Sequence, residues 1–417
     1  MKQKTKIFFR GAYNKYNLGD DLLLVSIVDF VSETAKRLDK PVELYVTEHA
    51  DSVSQLGYRM DINLYKGFEL YEACLNVSSK LKPKILRWAI KLISCVLLVF
   101  NIIFFRVFKR PLFYRNYINF FKSLDVIHYI GGGYFADRWV GTLRQEYLTV
   151  LFARMIKPDI IIVATGLGIG PVNRGNSILF KQFFKKFNYI AIRENRSAKL
   201  LEQKHICAHK KESADDTLLL MPLYRKIGES VEEPNKKLAL NLKCFSDHNY
   251  GLIREELNAF LQIAAQEGYS LHFFCFGRSP GPNDIAALEV LNKELRKKLT
   301  IHDPYEEGLA SFLGSLSNSK IGIGFAYHFN VLMAAFSRPV LGIFFGDYYE
   351  QKVVGVQKLL FEKPFILSWD EFKGKNSKEL LEELERHEVN NSQKTESIYK
   401  NMKDEYFNLY QRILTDV

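Results

Sequence analysis

Cysteine is scarce in this 417-residue chain, and its distribution excludes the common cysteine-based sites. No CxxC pair occurs, and the five cysteines are scattered at Cys74, Cys95, Cys207, Cys244 and Cys275. Isolated thiols of this kind are typical of proteins in a reducing compartment. Residues 1–10 lack the apolar run of a secretory signal, so we expect a cytoplasmic location.

Several nucleotide- and nucleic-acid-binding signatures are also missing. No glycine-rich stretch continues into the Lys-Ser/Thr of a P-loop, and the GxGxG tract at 166–170 lacks dinucleotide-binding spacing, so we expect no nicotinamide cofactor. Zinc-finger spacing and Arg-rich arms are absent, which argues against nucleic acid as a partner. The formal net charge of +11 indicates an anionic small molecule or an acidic lipid surface, or simply a basic surface.

Short apolar runs alternate with helix-length stretches along most of the chain. The runs lie at 42–46, 126–130, 160–164, 189–192, 238–242, 271–276, 321–323 and 340–344. Such alternation is typical of parallel sheets covered on both faces, and the strands are too many for one ordinary sheet. A polar stretch at 222–237 indicates a linker. The sequence predicts an α/β fold with two Rossmann-like domains facing across a cleft, at 1–225 and at 226–417 with terminal helices.

One segment of the first domain differs from this pattern. Residues 84–110 contain an uncharged apolar stretch, 92–105, shorter than the ~20 residues that a membrane-spanning helix needs. On a helical wheel the polar residues share one face, interrupted by Leu98 and Phe105, and Trp88 lies near one end. The pattern predicts a basic amphipathic insertion that docks on the anionic inner face of a membrane. A helix buried within the domain and a true span are the alternatives.

Three glycine-rich turns each follow a predicted strand of the first domain. They are the turn at 11–20 with Asn17, Gly19 and Asp20, the turn at 131–133 with Gly132 and Gly133, and the turn at 166–171 with Gly168. Glycine at the carboxyl end of a parallel strand lets backbone N–H groups approach an anion. One such turn is more often structural, but three in one domain predict a substrate-binding site.

Basic side chains follow strands in both domains, namely Arg193, Lys243 and Arg278. A guanidinium in this position can bind a phosphate or carboxylate, or it can pair with a neighbour such as Glu194 or Asp215. His328 stands in a glycine-rich turn between a strand and a helix, where an imidazole is well placed to contact a ligand. These cations predict an anionic small-molecule donor in the cleft.

Taken in order, these motifs resemble those of the polysaccharide pyruvyl transferase family over nearly the whole chain. N-x-G-D stands at 17–20, GGG at 131–133, G-x-G-I-G-P at 166–171 and R-[DE]-x-x-S at 193–197, followed by Asp216, His328 and the Arg-Pro-Val at 338–340. The resemblance implies a two-lobed fold like that of the GT-B glycosyltransferases. It also implies transfer of pyruvate from phosphoenolpyruvate to a sugar during exopolysaccharide biosynthesis, with formation of a ketal.

The resemblance further implies roles for individual residues. Arg193 and His328 would bind phosphoenolpyruvate. From the chemistry of ketal formation we further expect His328 to act as acid or phosphate stabiliser and Asp20, in the first glycine turn, to act as base toward a lipid-linked or polymeric saccharide acceptor. No metal-ligand cluster is visible in the sequence, so we expect a reaction without metal or cofactor. Two positions depart from the family pattern, because Ala326 and Lys243 stand where arginines are usual. A glycosyltransferase using a nucleotide-sugar and a non-catalytic subunit of polysaccharide assembly are therefore the alternative functions.

Overall fold

The computed structural model describes residues 4–13, 16–47, 51–65, 84–113, 115–206, 209–231, 234–243, 253–278, 283–387 and 392–416. Cys74, Cys207 and Cys244 lie outside these residues, as do the side chains of residues 84–88, 90, 91 and 94 in the predicted amphipathic segment. The described strands form two sheets in which every pairing is parallel. This arrangement confirms the predicted α/β fold with two Rossmann-like domains.

The first sheet has the strand order β3-β2-β1-β4-β6-β7-β8, with β5 paired to β6. Its strands are β1 Thr5–Arg10, β2 Val42–Thr47, β3 Asn63–Tyr65, β4 Val126–Tyr129, β5 Gly132–Phe135, β6 Ile161–Ile169, β7 Tyr189–Ile192 and β8 His209–Glu212. The second sheet has the order β11-β10-β9-β12-β13-β14. Its strands are β9 Asn235–Asn241, β10 Ser270–Phe274, β11 Leu299–His302, β12 Ser319–Gly324, β13 Val340–Phe344 and β14 Ile366–Ser368.

The described helices of the first half of the chain surround the first sheet. They are α1 Leu18–Arg37, α2 Asp51–Gln55, α3 Lys84–Phe108, α4 Arg115–Ser123, α5 Val140–Ile156, α6 Ser177–Phe184, α7 Asn195–Gln203 and α8 Met221–Gly228. The later helices are α9 Arg254–Gln266, α10 Lys293–Lys298, α11 Pro304–Glu307, α12 Leu309–Ser317, α13 Tyr327–Ala335, α14 Gly346–Leu360, α15 Trp369–Lys373, α16 Ser377–Arg386 and α17 Ser392–Asp416.

Both sheets reverse their strand order at one point, and this point positions the site. In the first sheet the reversal lies between β1 and β4, and in the second it lies between β9 and β12. Loops that leave two such neighbouring strands run in opposite directions and open a crevice at the carboxyl ends of the strands. We therefore expect ligands at the edge where β1 and β4 meet the loops of β9 and β12.

Three local predictions were wrong. Of the predicted GGG turn, residues 131–133, only Gly131 lies outside a strand, because Gly132 and Gly133 begin β5 beside β6. Residues 166–169 are not a turn but the second half of β6, because Gly166, with a φ of 54°, introduces an irregularity after which the strand resumes beside β7. Residues 222–237 are not a linker but contain α8 and the start of β9. Pro222 occupies the first turn of α8, where a missing N–H costs no helical hydrogen bond.

The two lobes share one apolar core, and the last helix crosses between them. Residues of α1, α8, α12 and α13 belong to the same buried cluster, together with Tyr406 and Tyr410 of α17. Tyr406 donates to Asp216 of the first lobe over 2.8 Å, and Tyr410 contacts His128 of β4. The predicted domain boundary at residue 225 falls within α8 and stays a prediction. Helix α17 was assigned to the second domain, but it packs on the first lobe.

Candidate functional site

The carboxyl ends of the two sheets meet around the loop that precedes α1. Asn17 and Gly277 form an isolated antiparallel bridge, and Leu18 N donates to Phe276 O over 2.8 Å. Arg278 N likewise donates to Tyr16 O over 2.8 Å. These backbone contacts hold the first predicted glycine turn against the end of β10, so the walls of the cleft are fixed relative to each other at this edge.

Gly19 allows His328 to approach the first lobe. A β-carbon at Gly19 would come within 1.7 Å of His328 Nδ1, so any other residue would displace the imidazole. His328 is the second residue of α13, and its side chain is 12% exposed. The N-x-G-D motif and the late histidine, 309 positions apart in the sequence, are thus neighbours across the cleft.

Arg193 is buried at the cleft wall and is held by two carboxylates. Its Nε donates to Glu194 over 2.8 Å, and its Nη1 donates to Asp215 over 2.8 Å. Tyr327 of the second lobe lies across the guanidinium, whose carbon is 3.9 Å from the ring centre. Arg193 therefore lies between the lobes, and its charge is compensated by the pairing with Glu194 and Asp215 that the sequence offered as one of two alternatives. Its third nitrogen, Nη2, lies near Gly133.

The R-E-x-x-S spacing has a structural reason. Ser197 lies one turn after Glu194, and its hydroxyl donates to the Glu194 carboxylate over 3.0 Å. The same hydroxyl accepts from Ile169 N over 2.8 Å, which ties α7 to β6. Gly168 is required here because a β-carbon would come within 2.9 Å of Arg193 Nε. Glu194 and Gly168 together orient the guanidinium.

His328 faces the carboxylate of Asp215. The distance from His328 Nε2 to Asp215 Oδ2 is 3.6 Å, and Nε2 forms no hydrogen bond with any residue that the structure describes. The hydroxyl of Tyr327 also lacks a hydrogen-bond partner among these residues. Burial raises the pKa of Asp215, but His328 and Arg193 outweigh burial and hold that pKa well below its usual range. Asp215 is therefore ionised and can orient the imidazole.

Asp216 has a different task from that of Asp215. It accepts from Gly131 N over 3.0 Å, from the Thr165 hydroxyl over 2.7 Å and from Tyr406. These bonds join the GGG turn, β6 and the C-terminal helix in one buried network. Burial, together with the charge of Asp215, raises the pKa of Asp216 to about 7. The aspartate of this motif thus fastens the turns that line the cleft.

Sequence reasoning missed two residues of α14 that face the GGG turn. A β-carbon at Gly133 would come within 3.0 Å of Lys352 Nζ, and the Tyr348 hydroxyl donates to Gly133 O over 3.3 Å. Burial raises the pKa of Tyr348, but Lys352 and Lys243 outweigh it and leave this pKa below its usual value. The signal was available, because α14 follows the predicted strand at 340–344 just as other site residues follow theirs.

The remaining predicted residues occupy different parts of the cleft edge. Lys243 follows β9 and lies close enough to Tyr348 to affect its pKa. Asn17 donates to Asp20 over 2.7 Å in the first turn of α1. The Arg278 side chain pairs with Glu306 at 2.8 Å and Asp303 at 3.5 Å. The charge of Arg278 is therefore compensated within the second lobe, whereas Lys243 lies near Tyr348.

The cleft has the features of an anion site. His328, Lys352 and Lys243 supply positive or protonatable groups from the second lobe, and the GGG turn, whose Gly132 has a φ of 129°, borders them from the first. Among the described residues, no group of three or more His, Cys, Asp or Glu side chains could hold a metal ion. The arrangement favours a small ligand with carboxylate or phosphate groups.

Comparison with known proteins identifies related sequences and folds. Residues 17–343 match the model of the family described as polysaccharide pyruvyl transferase, and no curated protein matches the chain. Among solved structures, UDP-GlcNAc 2-epimerases are similar in fold. The enzyme from Neisseria meningitidis bound to UDP-GlcNAc has a TM-score of 0.55 and 10% identity, with 97% of this chain and 100% of that chain covered.

Two further epimerases extend this comparison. The enzyme from Methanocaldococcus jannaschii has a TM-score of 0.51 and 12% identity, with 96% of this chain and 100% of that chain covered. The enzyme from Rickettsia bellii has a TM-score of 0.51 and 13% identity, with 98% and 99% covered. At such low identity the likeness shows the fold alone, and it confirms the predicted GT-B-like arrangement of two lobes.

Proposed function

Because the chain belongs to the polysaccharide pyruvyl transferase family, we propose that it transfers pyruvate from phosphoenolpyruvate to a sugar hydroxyl pair, forming a ketal. One observation carries this proposal. His328 and Lys352 of the second lobe face the glycine-rich edge of the first lobe, His328 at Gly19 and Lys352 at Gly133. Phosphoenolpyruvate has a carboxylate and a phosphate, so a site for it needs several cationic or N–H donors in a small volume.

Donor binding follows from the positions of these groups. Lys352 has no carboxylate partner among the described residues, and its ammonium lies 4.5 Å from the centre of the Tyr348 ring. We assign Lys352 and Lys243 to the anionic groups of the donor. Arg193 is fully buried and doubly paired, so it acts mainly by positioning Asp215 and the Tyr327 ring.

The reaction adds two sugar oxygens to the central carbon of the donor. Each hydroxyl loses a proton; one proton goes to the methylene carbon, which becomes the methyl group, and the other goes to the departing phosphate. The bond between the central carbon and the phosphate ester oxygen breaks, and inorganic phosphate leaves. We assign His328 to proton transfer at this step, because an imidazole oriented by a carboxylate can both give and take a proton.

Asp20 is the proposed base for the acceptor. It lies in the first turn of α1, is partly exposed and accepts a hydrogen bond from Asn17. A carboxylate at this position can receive a proton from a sugar hydroxyl that enters from the open side of the cleft. The acceptor is a saccharide, lipid-linked or polymeric, of a cell-surface or exported polysaccharide.

A ligand screen followed by a turnover assay tests the proposal. We expect phosphoenolpyruvate to raise the melting temperature of the protein, whereas UDP, GDP and CMP do not. With phosphoenolpyruvate and an acceptor saccharide, inorganic phosphate and the ketal should form in equal amounts. Stabilisation by a nucleotide alone would instead support a nucleotide-sugar glycosyltransferase, and no stabilisation by any donor would support a non-catalytic subunit.

A further inference from the structure

Helix α3, Lys84–Phe108, exposes an apolar stripe on the first lobe. Leu92, Val96, Phe100, Ile103 and Val107 recur at helical spacing on one face, and each is more than half exposed. Ten of the fifteen most exposed large apolar residues in the described part of the chain lie between residues 92 and 113. Exposed apolar residues are therefore concentrated here, and a contiguous patch of this kind marks an interaction surface.

The orientation of α3 is fixed by its opposite face. Leu98, Ile102 and Phe105 are buried in the core that covers one side of the first sheet. Asn101 is also buried, and its amide oxygen accepts from Leu112 N over 2.8 Å and from Phe113 N over 3.2 Å. The two apolar residues that interrupt the polar face of the helical wheel are thus the anchors of the helix, and the larger apolar face is left outside.

The segment that carries this stripe is uniformly basic in sequence. Residues 84–124 contain eight Lys or Arg residues and no Asp or Glu. Arg106, Lys109 and Arg110 lie at the C-terminal end of α3 and are exposed. A surface that combines an apolar face with flanking cations is complementary to a bilayer with anionic headgroups, because the acyl region takes the apolar side chains and the headgroups take the charges.

A second copy of the chain would be a poor occupant of this surface. In a two-fold interface the same patch meets itself, so the basic ends of the two helices would be brought together without an acidic residue from this segment to compensate them. The described helices include none that is long and apolar enough to span a membrane. The surface therefore favours a bilayer on which α3 lies, without crossing it.

We propose that α3 docks in the surface of a bilayer that contains anionic lipid, parallel to the membrane, with Val96, Phe100, Ile103 and Val107 inserted at the boundary of the acyl chains. Arg106, Lys109 and Arg110 contact the headgroups beside it. The proposal concerns a surface outside the cleft and does not rest on the proposed enzymatic activity.

Co-sedimentation of the full-length protein with vesicles tests this inference. We expect binding to vesicles of phosphatidylcholine that contain about 30% phosphatidylglycerol, and weaker binding to vesicles of phosphatidylcholine alone. The combined variant Val96→Gln, Phe100→Gln, Ile103→Gln and Val107→Gln should lose binding to both kinds of vesicle. A matched control, Ile178→Gln with Ile301→Gln, removes exposed apolar residues elsewhere and should bind like the unmodified protein.

The cationic contribution is tested separately. A headgroup contact of one Lys or Arg strengthens binding by about fivefold, so Arg106→Gln, Lys109→Gln and Arg110→Gln together should weaken binding to anionic vesicles by roughly 100-fold. The control Lys297→Gln, Lys320→Gln and Arg386→Gln removes three exposed cations of the second lobe and should have little effect. High salt should reduce the difference between these two variants.

Two results would overturn the inference. The first is a dimer of the unmodified protein, detected by light scattering, that the four-Gln variant turns into a monomer, without any vesicle binding; the stripe would then be a protein interface. Equal vesicle binding by the four-Gln variant, with an unchanged circular dichroism spectrum, would place the membrane contact elsewhere. Turnover with a water-soluble acceptor should be the same in both proteins, which separates this test from that of the proposed function.

Discussion

The two walls of the cleft handle buried polar groups in opposite ways. In the first lobe Arg193, Asp215 and Asp216 are buried, and each is held by ion pairs or hydrogen bonds to its neighbours. In the second lobe the His328 imidazole and the Tyr327 hydroxyl carry polar atoms that lack a hydrogen bond to any described residue. The first wall is therefore a rigid frame, and the second presents groups that are available to a ligand.

Because of this difference, we expect substitutions on the first wall to reduce stability and substitutions on the second wall to reduce activity. Removing one member of a compensated buried set leaves its partners charged and unpaired, which destabilises the fold. Removing an uncompensated group costs little stability, because it has no partner to leave behind, but it removes a ligand contact. Substitutions on the two walls can therefore test the comparison directly.

The largest effect is expected for Arg193→Met. The variant leaves Glu194 buried without a cation and Asp215 with His328 alone, so the free energy of unfolding should fall by about 3–5 kcal/mol. Urea unfolding followed by circular dichroism measures this change. Arg386→Met is the control, since Arg386 is exposed on α16 and should change stability by less than about 0.5 kcal/mol. Equal stability of the two variants would show that the first wall is not a frame.

His328→Ala should affect activity and spare stability. Loss of a proton-transferring group lowers turnover by about 100-fold or more, whereas the melting temperature should change little because Asp215 keeps its bond to Arg193. Phosphate release from phosphoenolpyruvate and an acceptor measures turnover. His387→Ala, at the opposite end of the second sheet, serves as the control. Near-normal turnover of His328→Ala would show that His328 does not transfer a proton in the reaction.

Asp216→Asn should sharpen the contrast between the neighbouring aspartates. Burial raises the pKa of Asp216 from 3.8 to about 7, so the folded state binds a proton more tightly than the unfolded state does. Its contribution is fully present below pH 4 and is lost as the pH rises through about 7, and the loss amounts to about 3 kcal/mol between pH 5 and 8. Asp215, whose pKa is lowered, already contributes fully above pH 5.

The measurement for Asp216→Asn is urea unfolding at several pH values between 5 and 8. The unmodified protein should lose stability over this range more steeply than the variant, because asparagine resembles the protonated carboxyl and does not titrate. Parallel curves for the two proteins would mean that Asp216 keeps one protonation state across the range, and the carboxylate would then be stabilised by its three donors.

The smallest effect is expected for Lys352→Ala. Loss of one charged contact to the donor should raise the KM for phosphoenolpyruvate by about tenfold, with a smaller change in kcat and none in stability. Steady-state kinetics at saturating acceptor separate the two constants. Lys358→Ala, an exposed position on the same helix, controls for a general loss of positive charge. An unchanged KM would assign the anion contact to other residues.

Much of the architecture was predictable because it depends on local patterns. Apolar runs that alternate with helix-length stretches predicted two parallel sheets. Arg193, His328 and glycines of the three motifs lie together in the structure. The helix at 84–110 was predicted from its amphipathic pattern and is observed as Lys84–Phe108. The roles of the predicted site residues stay predictions.

Other features depend on contacts between residues that are distant in the sequence. The linker prediction at 222–237 failed because polar composition and two prolines do not reveal that α8 packs an apolar face into the shared core. Lys352 and Tyr348 were missed because the position of α14 after the strand at 340–344 does not reveal which of its side chains face the GGG turn. The return of α17 to the first lobe depends in the same way on Tyr406 and Tyr410 reaching buried partners there.

Residue periodicity and spacing were enough to predict the fold class, the order of the motifs and the amphipathic character of α3. Which side of α3 faces the protein emerged only from the folded chain, because burial of Leu98 and Phe105 depends on the core that receives them. The fold also decided that Arg193 makes two close ion pairs, whereas His328 faces Asp215 at 3.6 Å and its Nε2 makes no hydrogen bond to a described residue. Whether a charge is paired depends on which groups the fold brings within a few ångströms of it. Such distances cannot be predicted from the periodicity or the composition of the sequence.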